Sequence, residues 1–215
     1  MKIKICCIKS ITEAEFVTQH GADAIGLVAD MPSGPGIIND ELIYEISKKF
    51  KQKIETFLLT SRINAQEIIE HHASTQTSTI QMVDEIDNQA YQLIADALPR
   101  VKLVQVIHIE DDSSYAKAIE KSKYVDYLLL DSGKPSEEIK KLGGTGETHN
   151  WEISRAVVKD SNIPVFLAGG LNKSNIIEAI NFVRPYGIDL CSGVRTNDAL
   201  DKNKLIQFMN FVRNK

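Results

Sequence analysis

The sequence is poor in cysteine, and its few cysteines do not form a metal-binding pattern. The three cysteines, Cys6, Cys7 and Cys191, are an odd number and lack the spacing of metal ligands. Because adjacent residues of a strand project to opposite sides, Cys6 and Cys7 are not expected to share a ligand. We therefore expect reduced thiols, as in a reducing compartment, and no metal.

The sequence also lacks a long apolar run and an excess of positive charge. No segment approaches the roughly 20 apolar residues of a membrane-spanning helix. The opening segment, MKIKICCI, is too short and too charged for a signal peptide. The formal net charge of −4 leaves no basic excess to neutralise nucleic acid phosphates. We expect a cytoplasmic protein that acts on a small molecule, without nucleic acid or membrane partners.

What the sequence does contain is a regular alternation of apolar, β-branched runs and amphipathic helical patterns. The apolar runs, each followed by a helical pattern, are residues 2–8, 23–28, 54–59, 79–83, 101–108, 125–131, 164–168 and 187–191. Eight βα units in 215 residues leave no room for a second domain. They predict one α/β domain over residues 1–215, a closed (β/α)8 TIM barrel rather than an open doubly wound sheet.

Glycines follow the seventh and eighth predicted strands, where barrels of this kind often bind phosphate. Gly169 and Gly170 come after the seventh strand, and Ser192 and Gly193 come after the eighth. Because glycine has no side chain, an anion can approach the backbone N–H groups there. The two pairs together predict a phosphate site. Arg195 would either add positive charge to it or be an exposed, solvated side chain.

Two titratable side chains at strand ends are candidates for acid–base chemistry. Cys6 follows the first strand's apolar residues, and a thiol acts as a base where positive charge favours the thiolate. Asp131 ends the sixth strand, and a carboxyl group donates a proton where its site raises its pKa. The competing interpretations are a buried apolar thiol and a loop or cap residue. Asp189, in the eighth strand, either contacts substrate or pairs with Lys4.

Two long loops, residues 31–39 and 132–150, follow the second and sixth strands. Both belong to the carboxyl-end face of the predicted barrel, where active sites occur. Loops of this length are usually binding elements or lids. His149, in the second loop, is therefore a further candidate for the site.

Several short motifs, spread in order over nearly the whole chain, are specific when taken together. They are Lys4-Ile5-Cys6, residues 21–26, Gln81, residues 129–131, residues 143–146 with Trp151, residues 169–172, residues 183–185, Asp189 and residues 192–194. With this set the chain resembles the phosphoribosylanthranilate isomerase family. The resemblance implies a (β/α)8 enzyme of tryptophan biosynthesis that is a monomer or a homodimer.

The same resemblance implies a reaction and the residues that perform it. The family catalyses an Amadori rearrangement of an aldosylamine to an aminoketose, with no cofactor and no metal. Cys6 corresponds to the general base that removes the C2′ proton. Asp131 corresponds to the general acid that protonates the ribose ring oxygen. The loops at residues 169–170 and 192–193 correspond to the phosphate site, with Gln81 and Asp189 as substrate-binding residues.

This chain departs from the family pattern around the aromatic end of the expected substrate. Cys7 stands where the family has glycine, and residues 33–36 lack the arginine that pairs with the anthranilate carboxylate. A bidentate cation matters for recognising a planar carboxylate. Arg62, after the third strand, and Lys134, in the long loop, are the candidate replacements. Cys7 itself is expected to be a packing substitution rather than a second nucleophile.

Four further positions differ from the family pattern. Residues 83–84, Val-Asp, replace the usual His-Gly, Glu147 replaces a lysine, and Asn150 replaces an aspartate before Trp151. Two alternatives to the isomerase therefore stay open at this point. One is a related barrel isomerase that acts on another phosphorylated sugar or aminosugar. The other is a non-catalytic barrel that binds a phosphosugar.

Overall fold

The computed structural model describes residues 1–133 and 150–213 of the chain. Its centre is a closed barrel in which eight strands pair in sequence order, every neighbouring pair being parallel. The strands are β1 Lys2–Ile5, β2 Ala24–Val28, β3 Glu55–Thr60, β4 Thr79–Met82, β5 Lys102–His108, β6 Tyr127–Asp131, β7 Val165–Leu167 and β8 Gly187–Leu190. The predicted (β/α)8 barrel is confirmed, and the open doubly wound sheet is excluded.

Helices between the strands cover the outside of the barrel. In the described part of the chain they are α1 Ile11–Gln19, α2 Asp40–Phe50, α3 Ala65–Thr75, α4 Asn88–Ala97, α5 Ser113–Lys121, α6 Trp151–Asp160, α7 Ile176–Val183 and α8 Lys202–Arg213. The side chains of Ser10, Asn39, Asn64 and Asp87 accept hydrogen bonds from backbone N–H groups of the first turn of α1 to α4. Such caps satisfy donors that have no partner within the helix. No helix in residues 1–133 and 150–213 has the length and apolar character needed to cross a membrane.

Apolar side chains form two separate cores, one inside the barrel and one between the strands and the helices. On β5, Val104 and Val106 point inward, whereas Leu103 and Ile107 pack under the helices. This alternation follows from the two-residue period of a strand. It also determines which residue at the end of each strand reaches the mouth of the barrel.

A charged pair is buried where the first and last strands meet. Lys4 of β1 and Asp189 of β8 are register partners, and Lys4 Nζ donates to Asp189 Oδ2 at 2.7 Å. Their side chains are 0% and 8% exposed. Because removing one partner would leave the other charge buried alone, this pair constrains the seam that closes the barrel.

The structure differs from the sequence-based expectation mainly near the mouth of the barrel. The predicted first strand, residues 2–8, ends as β1 at Ile5, because Cys7 has a φ of 63° and turns the chain out of the extended conformation. After β8 the chain forms a short 3-10 turn, Ser192–Val194, and a hairpin of β9 Arg195–Thr196 and β10 Ala199–Leu200. The sequence analysis did not predict the turn or the hairpin.

Candidate functional site

A cavity opens at the carboxyl ends of the barrel strands, and both acid–base candidates line it. Cys6, directly after β1, and Asp131, at the end of β6, belong to the wall of this cavity. Apolar side chains from the barrel interior, such as Leu59, Val106 and Leu129, form much of the remaining wall. Both residues thus lie at the mouth of the barrel, where acid–base chemistry would require them. The cavity combines an apolar lining with a few polar groups, as ligand sites do.

The Cys6 thiol is buried in surroundings that favour its thiolate. Its pKa lies below the ordinary value, chiefly because the neighbouring Cys7 thiol hydrogen-bonds to it, while burial opposes the shift. The positive charge of Lys4 acts in the same direction as the hydrogen bond. Hydrogen bonds and positive charge stabilise a thiolate more than a thiol. A larger fraction of Cys6 than of an ordinary cysteine is therefore thiolate, the form that can accept a proton.

The Asp131 carboxyl group is shifted in the opposite direction. Burial raises its pKa above the ordinary value, and the negative charge of Asp189 adds to this effect. His108, on the adjacent strand, opposes the shift, as does the hydrogen bond that Ser132 N donates to Asp131 Oδ1 at 2.8 Å. A thiol with a lowered pKa and a carboxyl group with a raised pKa in one cavity suit a base and an acid respectively.

Two polar atoms in the cavity wall are buried without a hydrogen-bonding partner in the described residues. They are Oε1 of Gln81, on β4, and Oδ1 of Asp189, on β8. Asp189 Oδ2 is bonded to Lys4, so the pairing considered for Asp189 is observed. Asp189 also belongs to the cavity wall, and its contact with substrate stays a prediction. A buried acceptor without a donor costs free energy. Both oxygens are therefore placed to accept hydrogen bonds from a ligand.

The two glycine loops lie beside this cavity. Gly169 and Gly170 have φ values of 83° and 61°, in the left-handed region that favours glycine. A Cβ atom on Gly193 would lie 2.2 Å from the carbonyl oxygen of Leu171, so only glycine lets the two loops approach. An outer groove lined by both loops shares Gly170, Leu171 and Ser192 with the cavity. The cavity itself reaches both loops, since Gly169, Gly170 and Ser192 belong to its wall, so an elongated ligand would extend from Cys6 and Asp131 to the glycine loops.

Arg195 is a buried side chain that belongs to the wall of neither the cavity nor the outer groove. It is buried, and its guanidinium group donates to the backbone carbonyl oxygens of Cys7 and Asp198 and forms an ion pair with Glu13 at 3.2 Å. The expectation of a solvated arginine is thus wrong. Its contacts instead fasten the turn at Cys7 to the segment after β8.

The structure does not bring Arg62 to the cavity. Arg62 is exposed, its Nη1 donates to the carbonyl oxygen of Glu67 at 3.2 Å, and it borders a separate depression beside α2 and α3. Within the described residues, no Lys, Arg or His side chain belongs to the cavity wall. The other candidates of the sequence analysis, Lys134 and His149, as well as Glu147, lie outside the described residues.

The three cysteines form a cluster that the sequence analysis did not anticipate. Cys191 Sγ donates a hydrogen bond to Cys7 Sγ at 2.7 Å, and all three thiols line the cavity. The expectation that Cys6 and Cys7 diverge assumed a continuous strand, whereas the left-handed φ of Cys7 turns its side chain to the cavity. Gly36 makes room for it, since a Cβ atom there would lie 2.5 Å from Cys7 Cβ. Side chains two residues apart in a strand point to the same side, so the spacing of Asp189 and Cys191 was the signal that could have placed Cys191 at the mouth of the barrel.

The sequence and the fold of this chain are similar to those of known proteins. A family model described as N-(5'phosphoribosyl)anthranilate (PRA) isomerase matches residues 3–211. The chain is 32% identical to N-(5'-phosphoribosyl)anthranilate isomerase 2 of Methanosarcina mazei, over 100% of this chain and 95% of that protein. It is 36% identical to the N-(5'-phosphoribosyl)anthranilate isomerase of Bacillus mycoides, over 97% and 96%. The solved structure of the Pyrococcus furiosus isomerase superposes with a TM-score of 0.82 at 27% identity, covering 100% of both chains.

Proposed function

Because this chain belongs to the N-(5'-phosphoribosyl)anthranilate isomerase family, we propose that it rearranges N-(5'-phosphoribosyl)anthranilate to the corresponding aminoketose in tryptophan biosynthesis. The observation that carries the proposal is the cavity wall shared by Cys6 and Asp131, which continues to the glycine loops. We further propose that the whole chain is one catalytic domain and acts in the cytoplasm, as a monomer or a homodimer.

In the first step, Asp131 acts as general acid. It donates its proton to the ring oxygen of the ribose as the bond between that oxygen and C1′ breaks, which gives an open-chain iminium ion. The reaction needs a carboxyl group that holds a proton near neutral pH. The burial that raises the pKa of Asp131 supports this role.

In the second step, Cys6 acts as general base. Its thiolate removes the proton from C2′, and the electrons of that C–H bond neutralise the iminium nitrogen to give an enolamine. Tautomerisation then yields the ketone, so the overall reaction only moves hydrogen within the substrate. The hydrogen bond from Cys7 and the positive charge of Lys4 support this role because both favour the thiolate of Cys6.

Polar groups along the cavity suit the sugar and phosphate portions of this substrate. The unpartnered oxygens of Gln81 and Asp189 would accept hydrogen bonds from the ribose hydroxyls or the bridging amine. The backbone at residues 169–170 and 192–193 would hold the phosphate, where glycines permit close approach. These interactions fix the substrate at both ends of its sugar and so orient C2′ towards the base.

The carboxylate of the anthranilate requires a cation that the cavity wall of the described residues lacks. Of the two candidates, we propose Lys134, which follows β6, because Arg62 is bonded to α3 away from the cavity. Lys134→Ala should raise KM about ten-fold or more, whereas Arg62→Ala should leave it within about two-fold. The reverse result would require the loop after β3 to move Arg62 over the cavity when substrate binds.

The proposed roles are tested by following the loss of anthranilate fluorescence from freshly generated substrate. Cys6→Ser and Asp131→Asn should each lower kcat by about 10²- to 10⁴-fold, with KM nearly unchanged. Asp30→Asn, at an exposed carboxylate just after β2, is the matched control and should keep wild-type kcat. Full activity of either site variant would remove that residue from the mechanism. If the wild type binds phosphate but gives no turnover, the chain either acts on another phosphorylated sugar or aminosugar or binds a phosphosugar without catalysis.

A further inference from the structure

Cys7 and Cys191 are close enough to react with each other. Their sulfur atoms are 2.7 Å apart, which is about 0.7 Å longer than the ~2.0 Å bond of a disulfide. Both thiols are free, and both line the same cavity. Cys191 is partly exposed to solvent, so a small oxidant can reach the pair from the cavity mouth. Joining the two sulfurs therefore requires only a small movement of the chain.

The backbone on both sides of the pair is held in place. Arg195 Nη2 donates to the carbonyl oxygen of Cys7, and Gly36 packs against Cys7 Cβ. Cys191 directly precedes the 3-10 turn at Ser192–Val194, whose Val194 N donates back to Cys191 O at 3.3 Å. The proximity of the two thiols is thus a consequence of how the loops after β1 and β8 pack, rather than of one side-chain rotamer.

We propose that Cys7 and Cys191 form an oxidative modification site, at which a reversible disulfide stops turnover. Two S–H bonds break and one S–S bond forms. The two protons and two electrons pass to a peroxide, whose O–O bond breaks to give two water molecules when the peroxide is hydrogen peroxide. A thiol reductant reverses the reaction by exchange. The loss of turnover rests on the proposed isomerase function, whereas the existence of the disulfide does not.

The disulfide would inactivate the enzyme through Cys6. In the reduced protein the Cys7 thiol hydrogen-bonds to Cys6 and favours its thiolate. A disulfide sulfur has no hydrogen to donate, so Cys6 would become a weaker acid and a smaller fraction of it would be thiolate. The link would also tie the turn after β1 to Cys191, which adjoins Ser192 of the phosphate loop.

Pairing between Cys6 and Cys7 is disfavoured by geometry. Consecutive Cα atoms lie about 3.8 Å apart across a trans peptide, whereas disulfides usually join Cα atoms roughly 4.4–6.8 Å apart. The described residues contain no cis peptide bond that would change this separation. Cys191, 184 positions away in sequence, is not restricted in this way, and its sulfur lies 2.7 Å from that of Cys7.

Intact and peptide mass spectrometry test the site directly. After brief exposure to hydrogen peroxide, wild type should lose two hydrogens in mass and yield a peptide that links Cys191 to the segment containing Cys6 and Cys7. Cys6→Ser should still form the link, whereas Cys7→Ser and Cys191→Ser should not. A link that persists in Cys7→Ser, or oxygen added to single sulfurs with no link in wild type, would overturn the proposal.

Activity provides the second measurement, with each protein compared to its own reduced form. Oxidised wild type should lose about ten-fold or more of kcat and recover it with a thiol reductant. Cys191→Ser should lose several-fold less than wild type over the same exposure, because it cannot form the link and only direct oxidation of the buried Cys6 remains. Equal loss in both proteins would show that direct oxidation of Cys6 is the cause. If reduced wild type has no isomerase activity, the proposed function fails, and the mass measurement still decides the disulfide.

Discussion

The buried ion pair of Lys4 and Asp189 gives the sharpest test of how this barrel is held together. The two groups are 0% and 8% exposed and 2.7 Å apart, on the strands that close the barrel. Burial disfavours the charged form of Lys4, but the charge and hydrogen bond of Asp189, together with Cys6 and Cys7, more than compensate, so the pKa of Lys4 lies above its ordinary value. The stabilisation that the ion pair gives the folded protein is fully present below the unfolded pKa of lysine, near 10.4. It is lost only as pH rises through the folded pKa of Lys4.

Replacing one partner leaves the other charge buried without compensation. Lys4→Met, which keeps a similar volume, should lower the free energy of unfolding by about 3–5 kcal/mol near pH 7. Asp189→Leu should have a cost of the same order, because it leaves the Lys4 ammonium group alone in the barrel interior. The double variant contains neither charge, so its stability should lie within about 2 kcal/mol of wild type.

Urea unfolding of wild type, the two single variants and the double variant measures the coupling between Lys4 and Asp189 as a double-mutant cycle. The two losses should be strongly non-additive, with a coupling of about 3 kcal/mol or more. The m-value should stay constant, since the surface exposed on unfolding is unchanged. If the two losses simply add, the pair does not stabilise the seam, and each side chain contributes only its own packing. The double variant should nevertheless be a poor enzyme, because Lys4 favours the thiolate of Cys6.

Three further predictions concern the site itself. Asp131→Asn should raise the melting temperature at pH 7. The raised pKa of Asp131 makes wild-type stability fall as pH rises from about 4, because the buried carboxyl group must lose its proton, and asparagine has no proton to lose. An unchanged or lower melting temperature would contradict the desolvation of Asp131. Gly193→Ala should raise KM and weaken binding of inorganic phosphate, measured by calorimetry, because its Cβ atom would meet the neighbouring loop at 2.2 Å; unchanged affinity would exclude this backbone from the phosphate site. Cys7→Ala should slow carboxymethylation of Cys6 several-fold at pH 7, because the pKa of Cys6 rises when the hydrogen bond from Cys7 is lost. Mass spectrometry of the labelled peptide measures the rate, and a faster rate would refute the hydrogen bond.

The fold and the outline of the site could be predicted from the sequence because they depend on local patterns. The ends of the predicted strands marked Cys6 and Asp131 as candidates, and the resemblance to the family added Gln81 and Asp189; the structure places all four in the cavity wall. The glycines after the seventh and eighth strands marked the loops that border the outer groove. Strand order followed from the number of βα units, since consecutive parallel units close in sequence order.

Only the tertiary structure decided how residues distant in sequence meet. Cys7 and Cys191 come into contact because a left-handed turn redirects Cys7 and because the loops after β1 and β8 are neighbours in the closed barrel. The burial of Arg195 depends in the same way on Glu13 and on the carbonyl oxygen of Cys7. A backbone turn at a non-glycine residue leaves no periodic signal in a single sequence.

The sequence by itself therefore determined the barrel, the loops at its mouth and the candidate acid and base. The tertiary structure decided which charges are paired, which acceptors stay unpartnered, and that Arg62 lies away from the cavity. The physical reason is that hydrophobic periodicity is a property of neighbouring residues, whereas pKa values and hydrogen bonds depend on burial and on groups brought together by folding.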